Sequence, residues 1–334
     1  MSSPSQFRRI AGRSVSAIGL GCMNLSHAYG VPPPEADAQR LLLRALNLGV
    51  TLFDTAALYG FGANEELVGR TLATHRQRFF LASKCGMQGV NGTRVIDGRA
   101  ATIKATCEDS LRRLRTDHID LYYLHRWDKN VPIEESVGAM ADLVREGKIG
   151  SIGLSEVSSA TLRRAHAVHP VAALQSEYSL WSREPELGPL QTCRELGVAF
   201  VAFSPLGRGF LGGTLQEVAS LDAKDIRKTM PRFAPEAYAS NLRMLSAARE
   251  IAHEARCTMA QLALAWLLAR GDDIIPIPGT VQIAHLEDDL GAGRVTLDAG
   301  QVARLEAAFA REHIVGARYN AASLAEVDSE AYPA

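Results

Sequence analysis

The feature that most constrains this chain is a rhythm: a short apolar run followed by a longer amphipathic stretch, repeated about eight times. Runs at 16–20, 51–54, 79–84, 120–125, 149–155, 172–177, 198–204 and 274–276 read as strands. Helical patterns at 35–48, 65–72, 99–114, 133–145, 159–168 and 185–196 separate them. Strands joined by helical crossovers pair in parallel. Several are apolar nearly throughout, as at 79–82 and 198–203, which indicates burial on both faces. Eight such units with no break in composition predict one α/β domain over residues 1–334, a (β/α)₈ barrel, with a doubly wound open sheet as the alternative. A Gly/Pro-bearing stretch at 205–235 interrupts the rhythm. Helical patterns follow at 239–255, 258–269 and 284–290, with an appended helix at 301–311.

Composition excludes several classes. The chain is 47% hydrophobic and 22% charged, as expected of a well-packed domain and not of a disordered one. With 36 basic and 37 acidic residues there is no bulk basic excess for a nucleic-acid backbone. Cys22, Cys85, Cys107, Cys193 and Cys257 are scattered, which argues for reduced thiols and a cytoplasmic location. The N-terminus lacks the apolar segment of a secretory signal. The longest apolar stretch, 259–269, is too short to span a bilayer, which takes ~20 residues. The expected partner is therefore a small molecule, with no nucleic acid, no membrane and no metal; oligomeric state is not legible.

In a parallel barrel the reactive groups stand at the carboxyl ends of the strands. Those ends carry Asp54, Lys84, His125, Ser155, Gln175 and Ser204, and the loop after Asp54 brings up Tyr59. Each alone has an ordinary explanation: Asp54 as a loop cap, Lys84 snorkelling to solvent, Tyr59 as packing, His125 as a core histidine. Together they make a different case. A lysine desolvated at a barrel rim needs a counter-charge, which Asp54 supplies. A lysine beside a phenol is expected to draw its pKa down from ~10 toward the working pH. His125, one strand further on, can hydrogen-bond a substrate oxygen. Such a set can deliver a proton to a carbonyl as it becomes an alkoxide. Gly60 and Gly62 would let the loop carrying Tyr59 turn tightly.

Other motifs carry less. Residues 207–212 match G-x-G-x-x-G, but late in the chain and outside an opening βαβ unit, so they read as a phosphate-approaching loop and not a dinucleotide fingerprint. His166 and His169 are spaced i, i+3 on a helix, yet no thiol or carboxylate stands near them in sequence, so a solvated face is expected.

Seven segments, in order and spacing, resemble the aldo-keto reductases over residues 7–310. They are 18–23 (Ile-Gly-Leu-Gly-Cys-Met), 53–60 (Phe-Asp-Thr-Ala-Ala-Leu-Tyr-Gly), 82–84 (Ala-Ser-Lys), 117–125 (Asp-His-Ile-Asp-Leu-Tyr-Tyr-Leu-His), 150–155 (Gly-Ser-Ile-Gly-Leu-Ser), 203–209 (Phe-Ser-Pro-Leu-Gly-Arg-Gly) and 277–280 (Ile-Pro-Gly-Thr). Residues 153–156 and 163–170 look most like the branch of auxin-induced-protein-like and perakine-reductase-like enzymes and their bacterial relatives.

The resemblance implies a barrel plugged by a hairpin near 7–15, and a nicotinamide cofactor held without a Rossmann fold. It implies an oxidoreductase acting on CH-OH donors, an NADP(H)-dependent enzyme that reduces aldehydes and ketones. The family's catalytic tetrad falls on Asp54, Tyr59, Lys84 and His125. Tyr59 would be the general acid, Lys84 and Asp54 would tune it, and His125 would orient the carbonyl. The carboxamide would lie near Ser155 and Gln175, with Met23 and Asp54 close by, and Glu156 stands where many members have Asn. Phe203 takes the place of the stacking aromatic. The pyrophosphate would pass Ser204, Pro205, Leu206, Gly209, Phe210 and Leu211, and the adenosine end would meet Gly279, Thr280, Gln282, Asp288 and Asp289. Val281 and Gln282 stand where many members place basic residues for the 2′-phosphate, so a weakened NADP(H) preference with use of NAD(H) is expected. His285, if it meets that phosphate, should make the preference grow as pH falls.

Substrate would be lined by Met23, Tyr59, His125, Trp127 and the loops at 180–181 and 226–233, an apolar set that suggests aromatic or medium aliphatic aldehydes. Two other readings fit the same scaffold. One is a slowly turning nucleotide-binding regulator similar to potassium-channel β-subunits. The other is a Schiff-base aldolase using Lys84.

Overall fold

A computed structural model of the chain describes residues 6–26 and 28–332. Eight strands form one sheet: β1 (Leu20–Gly21), β2 (Leu52–Asp54), β3 (Phe80–Cys85), β4 (Leu121–Leu124), β5 (Ile152–Ser155), β6 (Val171–Glu177), β7 (Ala199–Phe203) and β8 (Ile274–Pro276). Each pairs in parallel with its neighbours in sequence. The sheet closes on itself, because the N–H groups of Gly19 and Gly21 donate to the carbonyls of Pro276 and Pro278 at 3.0 Å each. Gly21 suits that seam: a Cβ there would lie 2.9 Å from the Ile277 carbonyl oxygen. The predicted barrel is thus present.

Between the strands run α1 (Glu35–Asn47), α2 (Ala63–Leu72), α3 (Ala100–Leu114), α4 (Ile133–Arg145), α5 (Ser159–Val168) and α6 (Pro189–Leu196). Three helices, α7 (Pro235–Leu242), α8 (Leu245–Glu254) and α9 (Met259–Ala269), lie between β7 and β8, and α10 (Ile283–Gly291) follows β8. The chain ends with α11 (Ala299–Ala308) and a short α12 (Ala321–Ala325).

Strand periodicity positions the site. Successive strand residues point to opposite faces. Leu52, Phe80, Ala82, Leu121, Tyr123, Ala173, Ala199, Val201 and Ile275 fill the barrel interior, while Phe53, Leu81, Tyr122, Leu124, Leu174 and Phe200 pack under the helices. Continuing the inward series by two residues reaches Asp54, Lys84, His125 and Gln175. An antiparallel hairpin, Phe7–Ile10 with Arg13–Ser16, plugs the other end, and its Ile10 and Val15 join the interior cluster. Asp120, just before β4, anchors that plug through Arg13 and also accepts from Leu81 N–H and Arg76 at 2.7 Å.

Gly153 on β5 faces Tyr123 so closely that an added Cβ would come 2.3 Å from the ring. Gly153→Ala is expected to destabilise the fold by about 1–3 kcal/mol through overpacking, read as a lowered denaturation midpoint at constant m-value.

Some expectations are corrected. The run at 16–20 divides, Ser16 ending the hairpin and Leu20 opening β1. The pattern at 185–196 breaks at Gly188-Pro189 into a 3₁₀ turn (Glu184–Leu187) and α6. The pattern at 239–255 breaks into α7 and α8, next to Asn241, whose buried amide is bonded in both directions to the backbone of Val315 at 2.9 Å. An antiparallel hairpin after β3 (Met87–Val90 with Thr93–Ile96) and the segment ending in α12 had no counterpart in the sequence reading.

Candidate functional site

Asp54 ends β2 and Lys84 sits one residue before the end of β3. Both side chains are essentially buried. The Lys84 ammonium has three acceptors for its three N–H bonds: Asp54, the Thr55 carbonyl at 2.8 Å and the Tyr59 hydroxyl at 3.2 Å. Gln175 Nε2 completes the chain by donating to the other Asp54 oxygen at 2.8 Å. Tyr59 reaches Lys84 because the loop behind it reverses through left-handed backbone at Gly60 (φ 58°), Phe61 (φ 52°) and Gly62 (φ 98°). At Gly62 an added Cβ would also lie 2.9 Å from the Arg113 side chain. The Tyr59 and His125 rings meet edge to face, centroids 5.7 Å apart.

The electrostatics follow from burial and pairing. Burial alone would lower the Lys84 pKa, but the Asp54 carboxylate and the Tyr59 oxygen outweigh it, so Lys84 is raised and held as an ammonium. A protonated lysine is a poor nucleophile, which disfavours the Schiff-base reading. For Tyr59 the sequence expectation is corrected. Burial pushes the phenol up more strongly than Lys84 draws it down, and the net direction is upward. The Tyr59 hydroxyl, bonded to Lys84, therefore keeps its proton and is not a phenol poised near neutrality.

A cleft of about 720 Å³ opens over these groups at the carboxyl ends of the strands. Asp54, Tyr59 and His125 line it, and Lys84 lies behind them. Met23, Ser155, Gln175, Phe203, Ser204, Pro205, Leu206, Gly209, Gly279, Thr280, Asp288 and Asp289 line it too. Four other anticipated residues do not. Trp127 points away, its indole N–H bonded to the Val131 carbonyl at 2.9 Å and its ring under the Arg164 guanidinium. Phe210 turns into the core and stacks on Trp181 at 3.9 Å, which also removes the 180–181 loop from the lining. Leu211 is buried, with its N–H bonded to the Leu206 carbonyl at 3.1 Å. Gln282 occupies the N-cap position of α10, without a side-chain capping bond, and does not line the cleft. His166 accepts from Val171 N–H at 3.2 Å, a local structural contact.

The model of the aldo/keto reductase family matches residues 17–310. The chain belongs to that family. Among solved structures it is similar to the glycerol dehydrogenase of Gluconobacter oxydans, with 27% identity over 100% of this chain and 99% of that one and a TM-score of 0.85. It is also similar to an aldo-keto reductase of Bacillus halodurans in its holo form, at 28% identity, 95% and 98% coverage and a TM-score of 0.75. A thermostable aldo-keto reductase bound to the inhibitor epalrestat matches at 28% identity, 91% and 100% coverage and a TM-score of 0.74. The protein is thus an oxidoreductase of a family that uses nicotinamide cofactors.

The donor set of this aldo-keto reductase fits a dinucleotide. The loop after β7 is coiled through positive φ at Ser204, Gly207, Arg208 and Gly209, and it brings Arg208 to the cleft; Arg227 joins it from the following stretch. Two guanidinium groups suit a diphosphate. At the far end, Thr258, Thr280, His285, Asp288 and Asp289 line the cleft without any lysine or arginine among them. Asp289 is pushed up to about 7, by burial first and by Asp288 second.

The tail supplies what sequence reading missed. Tyr319, Asn320, Ser323 and Glu326 form one wall of the cleft, and Glu326 pairs at 2.5 Å with Arg94 of the hairpin after β3. Glu156, in left-handed backbone (φ 55°), turns away from the cleft and holds the tail. Its carboxylate accepts from Arg318 at 2.5 and 3.1 Å, from Ser329 and from Glu177 N–H. Burial works to raise it, but Arg318 wins and brings it to about 2. Glu177 in turn pairs with Arg208 at 2.7 Å, so the tail and the loop after β7 share one buried network. The family model ends before this segment, and no motif marks it.

Proposed function

We propose that this aldo-keto reductase interconverts carbonyls and alcohols, with Tyr59 as proton donor in the reductive direction. The observation that carries the reading is the closed hydrogen-bond chain Gln175–Asp54–Lys84–Tyr59 ending at a cleft beside His125. A bound reduced nicotinamide supplies the hydride. Tyr59 donates its proton to the carbonyl oxygen as negative charge builds there, and His125 offers a second polar contact to that oxygen. Lys84 steadies the tyrosinate left behind, and Asp54 fixes Lys84 in place. Ser155 and Gln175 would hold the cofactor's carboxamide, and Arg208 and Arg227 would hold its diphosphate. The glycerol dehydrogenase among its structural relatives suits the same chemistry run in either direction. Steady loss of reduced-nicotinamide absorbance across a panel of neutral aldehydes and ketones is the expected result; tight cofactor binding without turnover would favour a regulatory role.

NADP(H) is the proposed cofactor, with a weak preference over NAD(H). Asp288 and Asp289 would stand near the 2′-phosphate of a bound cofactor, and among the described residues no arginine or lysine lines that end. Asp289 also gives the preference a direction. Below about 7 it holds its proton, so the repulsion weakens and selectivity for NADPH is expected to rise as pH falls. A preference above about a thousandfold in kcat/KM, equal at two pH values on either side, would contradict this. The same shift has a stability consequence. A carboxyl with a raised folded pKa keeps a proton that the unfolded chain has released, so stability falls as pH rises from the ordinary carboxylate range, ~4, through about 7. Asp289→Asn should therefore melt above the wild type at pH values beyond 7, with the difference closing toward pH ~4.

A further inference from the structure

Four arginines line the cleft, and three are matched: Arg94 by Glu326, Arg208 by Glu177 and Arg227 by Asp225. Arg126 is different. It follows His125 directly, and its hydrogen bonds are both from Nη1, to the His125 carbonyl at 2.6 Å and to Ser155 Oγ at 3.2 Å. Among the described residues it forms no ion pair. Glu156 senses its charge, but both Glu156 oxygens are taken by Arg318, Ser329 and Glu177 N–H. The charges around it cancel: Lys84 with Asp54, and Arg208 and Arg318 with Glu177 and Glu156. One net positive charge, with a guanidinium fork still offering Nε and Nη2, therefore faces the cleft next to the residue that meets the carbonyl. A half-buried guanidinium with unused donors is suited to an oxyanion, which it binds through two parallel N–H bonds.

We propose that Arg126 is a specificity residue that recognises an oxyanion carried by the substrate, so that the preferred substrates are small carbonyl compounds bearing a carboxylate or phosphate near the reacting carbon. The inference rests on the reductase reading above and deepens it. Tyr59 and His125 hold the carbonyl oxygen, and Arg126, adjacent along the chain, holds the charged substituent. Trp127 and the 180–181 loop do not line this cleft; Met23, Leu58, Met87 and Met230 give it an apolar side, and Asn320 and Ser323 of the tail add polar groups to the wall.

The test compares matched substrate pairs in the wild type, Arg126→Met and Arg126→Lys. Methyl 4-formylbenzoate against 4-carboxybenzaldehyde isolates a carboxylate, and glyceraldehyde against glyceraldehyde 3-phosphate isolates a phosphate. At least one charged member should exceed its neutral partner in kcat/KM by about tenfold to a hundredfold, the worth of one charged hydrogen bond. Arg126→Met should erase that ratio, mainly through KM, and Arg126→Lys should restore part of it. Which pair responds tells carboxylate from phosphate. A second arm needs no turnover: benzoate and inorganic phosphate are titrated against intrinsic fluorescence, and the better ligand should lose at least tenfold in affinity in Arg126→Met. This arm keeps the inference testable if no carbonyl is reduced, a result that would count against the reductase reading alone. Equal losses for charged and neutral substrates, with a raised dissociation constant for the cofactor and unchanged anion affinity, would instead assign Arg126 to the carboxamide site through Ser155 and overturn the proposal.

Discussion

Tyr59→Phe is expected to lower carbonyl reduction by about a thousandfold while leaving the cofactor's dissociation constant within about twofold, since general acid catalysis is worth roughly 10²–10⁴. The substitution keeps the ring that packs edge to face on His125 and removes only the hydroxyl bonded to Lys84. Lys84 keeps its two other acceptors, so the ion pair with Asp54 survives. Because burial raises the Tyr59 pKa, the wild-type phenol is protonated throughout the neutral range, and the loss should not be recovered by changing pH there. Near-normal turnover of Tyr59→Phe would remove Tyr59 from its role.

Lys84→Met is expected to abolish turnover more completely than His125→Gln, by about 10⁴-fold against about 10²-fold. Two losses coincide at Lys84. Tyr59 loses the cation that stabilises its conjugate base, and Asp54 is left as a buried carboxylate with Gln175 as its remaining side-chain donor. Breaking a buried pair by removing one partner costs about 3–5 kcal/mol of stability, so the melting temperature should fall as well. Gln at position 125 still offers a hydrogen-bond donor to a carbonyl oxygen. Pairing Lys84→Met with Asp54→Asn separates the two effects: the double variant should regain stability but not activity. Equal or reversed losses in kcat between Lys84→Met and His125→Gln would contradict the assignment.

The barrel was legible because short, nearly continuous apolar runs, the mark of strands buried on both faces, alternate about eight times with longer helical patterns. Asp54, Lys84, His125 and Gln175 are the next inward positions on strands whose lower inward residues are apolar, so strand ends alone located them. The sign of the Tyr59 shift was not legible. Sequence places Lys84 near Tyr59 but does not reveal that the ring is buried, and burial is the larger influence. The cleft wall was also hidden. Trp127 and Trp181 are large aromatics that suggested a lining, yet one packs under Arg164 and the other on Phe210. Tyr319 and Glu326 come from the far end of the chain, and contacts between residues far apart in sequence tie them there: Arg318 with Glu156, Glu326 with Arg94 and the Tyr319 hydroxyl with Arg208. Arg126 stood beside a recognised histidine, but that it has no ion-pair partner among the described residues is visible only in the folded arrangement.

The central claim is that this cleft transfers hydride to a carbonyl carbon while Tyr59 protonates the oxygen. The most direct measurement is isotopic. The wild type is incubated with reduced nicotinamide dinucleotide carrying deuterium at the transferable position and with a reducible aldehyde, and the alcohol is analysed by mass spectrometry. One deuterium on the carbinol carbon per alcohol formed, with formation suppressed in Tyr59→Phe although cofactor still binds, is the result predicted. Alcohol free of that deuterium, equal labelling in wild type and Tyr59→Phe at equal rates, or no alcohol from an enzyme saturated with cofactor would contradict it.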